Sequence, residues 1–396
     1  MAEEEGRRDE VSEAKQTGWL TRLGKSFAGV LTGFVMIVGS GILLFWNEGR
    51  AIETARSLSE GAAVVLEVDP AKLDPANDGK LVYVAGPISV ASSISDVDFG
   101  VLSNGLRLLR KVEMYQWTEE QHTETHKKLG GGEERVTTWR YARKWVDRAV
   151  DSSKFHERTG HANPAMPYNE RNLLAPKPRI GSYVLPDNMV SGFGTARTLP
   201  FPEDRAAALE RRLRKPVRVV DGVLYLANDP ARPVLGDLRI SFAEVALQEA
   251  SVIARQSPVG LGPYQTQAGG TVELIVPGRV PSADMFKSAQ QENETLSWLI
   301  RCGGCVLMFF GFCLILGPLG VLGDLIPVVG DVVRAGVGLV GLLFTAVVAP
   351  LIIAVAWLWY RPIVAISVVV VGAVLAGIAI WVSRLHKADQ QLARRA

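Results

Sequence analysis

The sequence has only three cysteines among its 396 residues, and all three lie in one apolar run near the C-terminus. The long polar region before that run has none, so it carries no disulfide in any compartment. Cys302 and Cys305 have the spacing of a metal or redox motif, but no second ligand pair accompanies them. Because small residues are preferred where membrane helices pack, we interpret the cysteines as packing residues.

A charge of one sign is also lacking, since 43 basic residues against 41 acidic ones leave a net charge of +2. The basic residues form no single stripe, which removes the main electrostatic argument for nucleic-acid binding. The sequence also shows no phosphate-binding loop, no nucleophile elbow and no paired-histidine helix motif. We therefore predict a noncatalytic protein with no cofactor, no metal and no nucleic-acid partner.

Ionisable residues are nearly absent between residues 302 and 383, and long apolar runs take their place. A helix rises about 1.5 Å per residue, so about 20 apolar residues cross the roughly 30 Å hydrocarbon core of a bilayer. The first run has no cleavage site after it, which favours an uncleaved signal anchor over a signal peptide. The sequence predicts four transmembrane helices, at residues 27–46, 302–323, 335–360 and 362–383.

Basic residues flank the first and the last of these helices, and the positive-inside rule then places both termini in the cytoplasm. Residues 1–18 are rich in charge and predict a disordered cytoplasmic tail, and residues 384–396 predict a second cytoplasmic tail. Residues 47–297 would then lie across the membrane, in the periplasm or in the lumen of the endoplasmic reticulum.

The region 47–297 is long enough to bury a core of its own. Short β-branched and apolar stretches recur in it between Gly, Pro, Asn and Asp, and these predict strands. The pair Asp221-Gly222, set between two such stretches, is the strongest hairpin signal in the chain. We predict a large α+β extracytoplasmic domain, built mainly on antiparallel sheet, attached to a multi-pass α-helical membrane domain.

Helical signals in this domain are fewer. Residues 203–213 predict one helix, and Ser282 is placed to cap another that runs into the second transmembrane helix. Apolar residues recur on one helical face after Asn47, so the first transmembrane helix is expected to continue beyond the bilayer.

Two histidines, His122 and His126, have a spacing that would place both imidazoles on one face of a helix, where they could hold a metal. The same stretch runs into three consecutive glycines between two predicted strands, which is typical of a solvated hairpin tip. We favour the hairpin tip.

A long irregular segment between two predicted strands contains His156, His161 and Asn163. Long loops are often functional, so we keep His161 and Asn163 as candidates. A weaker hypothesis makes this segment part of an envelope hydrolase that uses the two histidines and nearby glutamates.

Charged residues interrupt the apolar C-terminal region at Asp324, Asp331 and Arg334. On one helix the two aspartates would share a face, and Arg334 would be close enough to Asp331 to pair. Charges inside a span are functional candidates by default, so one hypothesis is an ion channel or transporter. The interpretation that we favour is a short cytoplasmic or interfacial turn over residues 324–334.

Several short segments, in order from about residue 18 to residue 385, carry a family resemblance. They are Asn47–Ala51, Val112–Trp117, Gly160–Pro164, Gly236–Phe242, Val252–Gln256 and Tyr360–Pro362. With them, the chain closely resembles the transmembrane protein 43 family, also called LUMA.

The resemblance implies four spans, a large lumenal domain and, in animals, residence in the endoplasmic reticulum and inner nuclear membrane. Family members look like scaffolds that self-associate and organise other membrane proteins, including emerin and lamins. The basic residues here are mostly arginine, which favours a bacterial member in an inner membrane, where a lamina is absent. We therefore expect a homo-oligomeric scaffold or sensor that contacts membrane lipids and other membrane proteins.

The family segments place three charged residues where helices meet the predicted outer membrane face, namely Glu48, Arg50 and Arg361. We expect Arg361 to pair with Glu48 or with another carboxylate there, and independent snorkelling at the interface is the alternative. The channel hypothesis would instead use Arg361 together with Asp324 and Asp331.

Overall fold

The computed structural model describes residues 9–128, 131–324 and 327–363, and also residues 366, 367, 370, 374 and 378. It divides into two compact units. The sheet unit comprises the chain up to Gln16, Ser57–His126 and Glu134–Ala289, and the helical unit comprises Thr17–Arg56, Lys127–Glu133 and Gln290 onwards. Most of the predicted fourth transmembrane helix and all of the predicted C-terminal tail lie outside the described residues.

Within the described residues, three long helices are apolar enough to cross a membrane. Helix α1 has 46 residues and so extends for about 69 Å, well beyond the thickness of a bilayer. Its continuation past Asn47 and the helix from Ser282 are both confirmed. The described helices are α1 (Trp19–Val64), α2 (Asp187–Ser191), α3 (Ala206–Leu213), α4 (Ser282–Ile315), α5 (Gly317–Gly323) and α6 (Pro327–Tyr360).

Many short strands make up the sheet unit, as the turn-bounded apolar stretches predict. The described strands are β1 (Asp9–Thr17), β2 (Leu66–Glu67), β3 (Leu81–Ser89), β4 (Ile94–Asp96), β5 (Val101–Ser103), β6 (Arg107–Lys127), β7 (Glu133–Val146), β8 (Arg171–Leu174), β9 (Arg179–Ile180), β10 (Tyr183–Val184), β11 (Arg197–Leu199), β12 (Arg218–Val220), β13 (Val223–Leu226), β14 (Leu238–Val245), β15 (Glu249–Ser257), β16 (Gly260–Gly262), β17 (Tyr264–Gln265), β18 (Thr271–Val272) and β19 (Leu274–Pro277).

Two large sheets organise these strands. One has the order β1-β7-β6-β14-β13-β12, with β11 beside β14 and β8 beside β6. The other has the order β10-β9-β3-β15-β16, with β19 beside β15 and β2 beside β3. Neighbours whose register is defined are antiparallel, except that β2 runs parallel to β3. The prediction of a mainly antiparallel sheet domain is therefore confirmed.

Strand β15 is central to the second sheet, and its middle residues Val252, Ile253 and Ala254 are fully buried. Successive side chains on a strand point to opposite faces, so both faces of this sheet are covered. On one face, Ile253 packs in a cluster with Leu58 of α1 and Phe286 of α4. The parts of these two helices that belong to the sheet unit thus contribute to its core.

Helices α1, α4 and α6 pack closely in the helical unit because small residues let their backbones approach. A Cβ atom on Gly33 of α1 would lie 2.6 Å from the carbonyl oxygen of Gly311 on α4. A separate buried cluster joins all three helices through Leu44 of α1, Met308 of α4 and Ala349 of α6. Close backbone contact of this kind is the usual way in which membrane helices associate.

The N-terminal segment differs from its prediction. Residues 9–17 were expected to belong to a disordered tail, but they form strand β1 beside β7. Ser12 and Thr138 share a side-chain hydrogen bond of 2.9 Å across this pair. The polar composition that suggests disorder is tolerated here because most of the β1 side chains are exposed at the edge of the sheet.

The hairpin at Asp221-Gly222 is confirmed, with both residues in the left-handed region at φ of 51° and 75°. A Cβ on Gly222 would lie 2.7 Å from the Cβ of Pro200. We predict that Gly222→Ala lowers the free energy of unfolding by about 1–3 kcal/mol, because it adds strain and a clash. Asp221→Asn is the matched control, since asparagine tolerates this conformation. Chemical unfolding of the full chain in detergent measures both, and equal stability of the two variants would contradict the prediction.

Candidate functional site

A buried carboxylate joins the three long helices at one level. Glu48 of α1 is 2% exposed and accepts two hydrogen bonds from the guanidinium of Arg301 on α4, at 2.7 and 2.8 Å. The indole of Trp357 on α6 donates a third at 2.9 Å. The Arg301 guanidinium also lies over the ring of Trp298, 4.8 Å from its centroid. A bidentate pair of this kind fixes geometry as well as charge.

Arg50 forms a second polar layer next to Glu48, between α1 and α4. Its guanidinium donates to the side-chain oxygens of Asn293 at 3.0 Å and of Asn47 at 3.4 Å. The amide of Asn293 in turn donates to the carbonyl of Ala51 at 2.9 Å. Arg50 is therefore held by neutral groups and ties the two helices together, beside the Glu48 ion pair.

Arg361 does not form the predicted ion pair with Glu48. Among the described residues, the ion-pair partner of Glu48 is Arg301, and Arg361 acts on Glu48 only through a longer-range Coulombic attraction. Arg301 escaped the sequence reasoning because it stands one position before the predicted span at 302–323. A basic residue at a helix boundary is ordinarily attributed to snorkelling, which hides its pairing.

A second charged cluster surrounds Asp324, whose side chain is 1% exposed. Arg22 of α1 donates to Asp324 at 2.6 Å and pairs with Glu133 at 3.1 Å. Arg334 of α6 also binds Asp324. It pairs with Asp331 at 3.1 Å, which is the contact that the sequence predicts. Two arginines thus neutralise one buried carboxylate, which agrees with the cost of burying an unpaired charge.

The turn between helices is shorter than predicted. Asp324 follows the end of α5, whereas Asp331 lies within α6, so the two aspartates do not share one helix. Residues 327–334, which were predicted to belong to the turn, are helical. Pro327 begins α6, where the missing N–H of proline costs no hydrogen bond.

The two clusters lie at opposite ends of the membrane-crossing part of the helical unit. At 1.5 Å per residue, Arg22 and Glu48 are about 39 Å apart along α1. Arg334 and Trp357 are about 35 Å apart along α6. These lengths exceed a hydrocarbon core of about 30 Å and match a bilayer with its headgroups, so a bilayer that covers these helices would place both clusters at headgroup level.

The tip of the β6–β7 hairpin belongs to the second cluster. Arg22 donates to the carbonyl of Gly131 at 2.6 Å, in addition to its pair with Glu133. Residues 47–297 are predicted to lie across the membrane from Arg22, whereas residues 131 and 133 of that region contact Arg22.

His161 and Asn163 have structural positions on the β6–β7 ribbon. The His161 ring is stacked on Tyr141 at 4.1 Å and meets the edge of Trp117 at 4.7 Å. Asn163 accepts from the backbone N–H of Trp117 at 2.7 Å and donates to its carbonyl at 3.0 Å. Asn163 thereby replaces a neighbouring strand for one residue of β6, and the long segment is attached to the sheet.

His122 and His126 lie on β6, on the solvated strand that leads to the tip of the β6–β7 hairpin, and not on a helix. Both are about two-thirds exposed and stand 3.4 and 3.5 Å from Glu124. In the part of the chain that the structure describes, no three His, Cys, Asp or Glu side chains come together as a group able to hold a metal ion.

We predict that Arg301→Ala lowers the free energy of unfolding by about 3–5 kcal/mol, because Glu48 is left buried without its partner. The double variant Glu48→Gln/Arg301→Ala should lose less than the sum of its two single variants. Arg197→Ala is the matched control, since Arg197 pairs with Glu244 at 2.8 Å but is 68% exposed, and it should lose at most about 1 kcal/mol. Unfolding in detergent measures all four, and an additive double variant would contradict the prediction.

Burial, together with a hydrogen bond to Glu119, raises the pKa of Tyr141 from its ordinary value of 10.0 to about 12. Its neutral form is favoured by folding, so this contribution to stability is complete below pH 10 and is lost as the pH rises to about 12. We predict that an alkaline absorbance titration of the folded protein shows a late tyrosinate phase that Tyr141→Phe reduces by one tyrosine. The same titration in denaturant is the control, and an unchanged late phase in the variant would contradict the assignment.

Comparisons with known proteins agree with this architecture. A family model for transmembrane protein 43 matches residues 114–362. Transmembrane protein 43 of Mus musculus is 31% identical over 367 residues, which cover 89% of this chain and 90% of the relative. The Homo sapiens protein is 30% identical over 396 residues, 96% of each chain, and a Drosophila melanogaster homolog is 30% identical over 364 residues, 87% of this chain and 92% of the relative. No solved structure matches. The chain belongs to the transmembrane protein 43 family.

Proposed function

We propose that this protein is a noncatalytic membrane scaffold or sensor, which self-associates and organises membrane proteins or lipids through its sheet domain. The observation that carries this proposal is the set of contacts that the candidate residues make within the chain. Glu48, Arg50, Asp324, Arg334 and Asn163 each hold two or more segments of the chain together, which favours a structural role for them over a catalytic one.

The competing functions have less support from the same contacts. A channel or transporter would expose its charged groups to a water-filled path, but Asp324 is 1% exposed and bound by Arg22 and Arg334. A hydrolase would need His161 accessible to a substrate, but His161 is 4% exposed between two aromatic rings. In both cases the residue type suggests chemistry while its surroundings favour a structural role.

Self-association is supported by an open face on α6. Gly336 has no described atom within 4 Å of the point where a Cβ atom would lie, and Leu339 and Leu343, which share its helical face, are 60% and 58% exposed. Gly33 and Gly311 show how closely helices of this chain approach at glycine. The α6 face leaves room for a second copy to approach in the same way.

The bacterial inner membrane stays a prediction, as do the fourth span and the side of the membrane on which the sheet domain lies. Single cysteines placed in the sheet domain and in the N-terminal segment, labelled with a membrane-impermeant reagent, determine the sidedness directly. Labelling of both from the same side would agree with the pairing of β1 and β7.

We predict that Gly336→Leu reduces the fraction of dimers or higher oligomers in lipid nanodiscs by roughly tenfold, because the added side chain prevents close helix approach. Mass measurement of the nanodiscs, with chemical cross-linking, gives the oligomeric state. Gly336→Ala, which keeps the position small enough for close helix approach, is the matched control and should leave association nearly unchanged. A strictly monomeric wild-type protein in nanodiscs would contradict self-association.

A further inference from the structure

An apolar groove runs along the helical unit between α1 and α6. Its volume is about 500 Å³, which lies within the usual range of ligand sites. Gly41 leaves it open, since the glycine has no side chain to fill the space in front of Ile352. The residues that line it include Ile37, Gly41, Phe45, Trp46, Ile352 and Tyr360.

The length and position of the groove fit one leaflet of a bilayer. Ile37 lies at the middle of the predicted span 27–46, and Trp46 lies at its end. The distance between them along α1 is about 14 Å, close to half of a hydrocarbon core of about 30 Å. The aromatic rings of Trp46 and Tyr360 stand at the headgroup end, where such rings prefer to lie. An extended acyl chain therefore matches the groove in direction and in length.

Two cations flank the headgroup end of the groove. The Arg56 guanidinium donates to the carbonyl of Tyr360 at 3.3 Å, and Arg361 follows Tyr360 in the chain and is exposed. In the described part of the chain neither arginine forms an ion pair within 4.0 Å, although the exposed Glu53 lies one turn before Arg56 on α1. Guanidinium groups bind phosphate oxygens well, so the charge here is complementary to an anionic headgroup.

We propose that this groove is a binding site for an anionic phospholipid, with one acyl chain between α1 and α6 and the phosphate between Arg56 and Arg361. The inference rests on the proposed function in that it names one class of lipid partner for the scaffold. It depends on the helical unit alone and does not require self-association.

The test is native mass spectrometry of the full chain released from nanodiscs that contain equal amounts of phosphatidylglycerol and phosphatidylcholine. The wild-type protein should retain phosphatidylglycerol preferentially. Arg56→Gln/Arg361→Gln should lower that preference by about tenfold, since each arginine near the surface contributes to anionic lipid binding. Gly41→Leu should reduce retention of both lipids by filling the groove, and Arg179→Gln/Arg232→Gln, which removes two exposed arginines of the sheet unit, should behave as wild type.

Equal retention of the two lipids by the wild-type protein, or full retention by Gly41→Leu, would overturn the proposal. Ile42→Cys in a background without the native cysteines tests the other occupants. A disulfide between two copies of the Ile42→Cys variant would place a second chain in the groove. A disulfide between Ile42→Cys and Val374→Cys in one chain would place the C-terminal segment there. Either result overturns the lipid site. The native mass spectra also give the oligomeric state, which separates the two proposals. An oligomer without bound lipid rejects the lipid site alone. A monomer with bound lipid rejects self-association alone.

Discussion

The ion pair between Glu48 and Arg301, completed by the indole of Trp357, is the interaction on which the helical unit depends. Here α1, α4 and α6 meet through polar side chains, at one end of their apolar segments. A bidentate pair has one good geometry, so it fixes the rotation of α1 against α4 as well as their separation. Leu58 of α1 and Phe286 of α4 belong to the sheet unit, where they pack with Ile253.

Between the two charged clusters the helices use a different kind of contact. In the hydrocarbon region Gly33 approaches the backbone of Gly311, and Leu44 packs with Met308 and Ala349. Ionic contacts are confined to the two ends because desolvating a charge costs several kcal/mol and water or headgroups lower that cost. The division between glycine contacts in the middle and arginine pairs at the ends therefore follows from the dielectric profile of the bilayer.

The sequence alone predicts the elements that depend on local pattern, and it misses the partners that depend on the tertiary fold. The long apolar helices, the Asp221-Gly222 hairpin and the α+β character of the domain all follow from periodicity and turn chemistry. The partner of Glu48 lies 253 positions along the chain, and the partner of Asp324 on α1 lies 302 positions away. Pairing over such separations leaves no local signal, so Arg22 and Arg301 look like ordinary basic residues beside predicted spans.

Residues that attract attention in a sequence for their chemistry are here mostly the ones that hold the fold together. His161 is enclosed by Trp117 and Tyr141, and Asp324 is bound by two arginines, so neither presents a reactive group to a partner. Groups that the fold leaves exposed are better placed for recognition, and among the candidates these are Asp331 and Arg361. A charged side chain that stays at the membrane surface, beside an open apolar groove, can contribute to binding without weakening the contacts on which the helices depend.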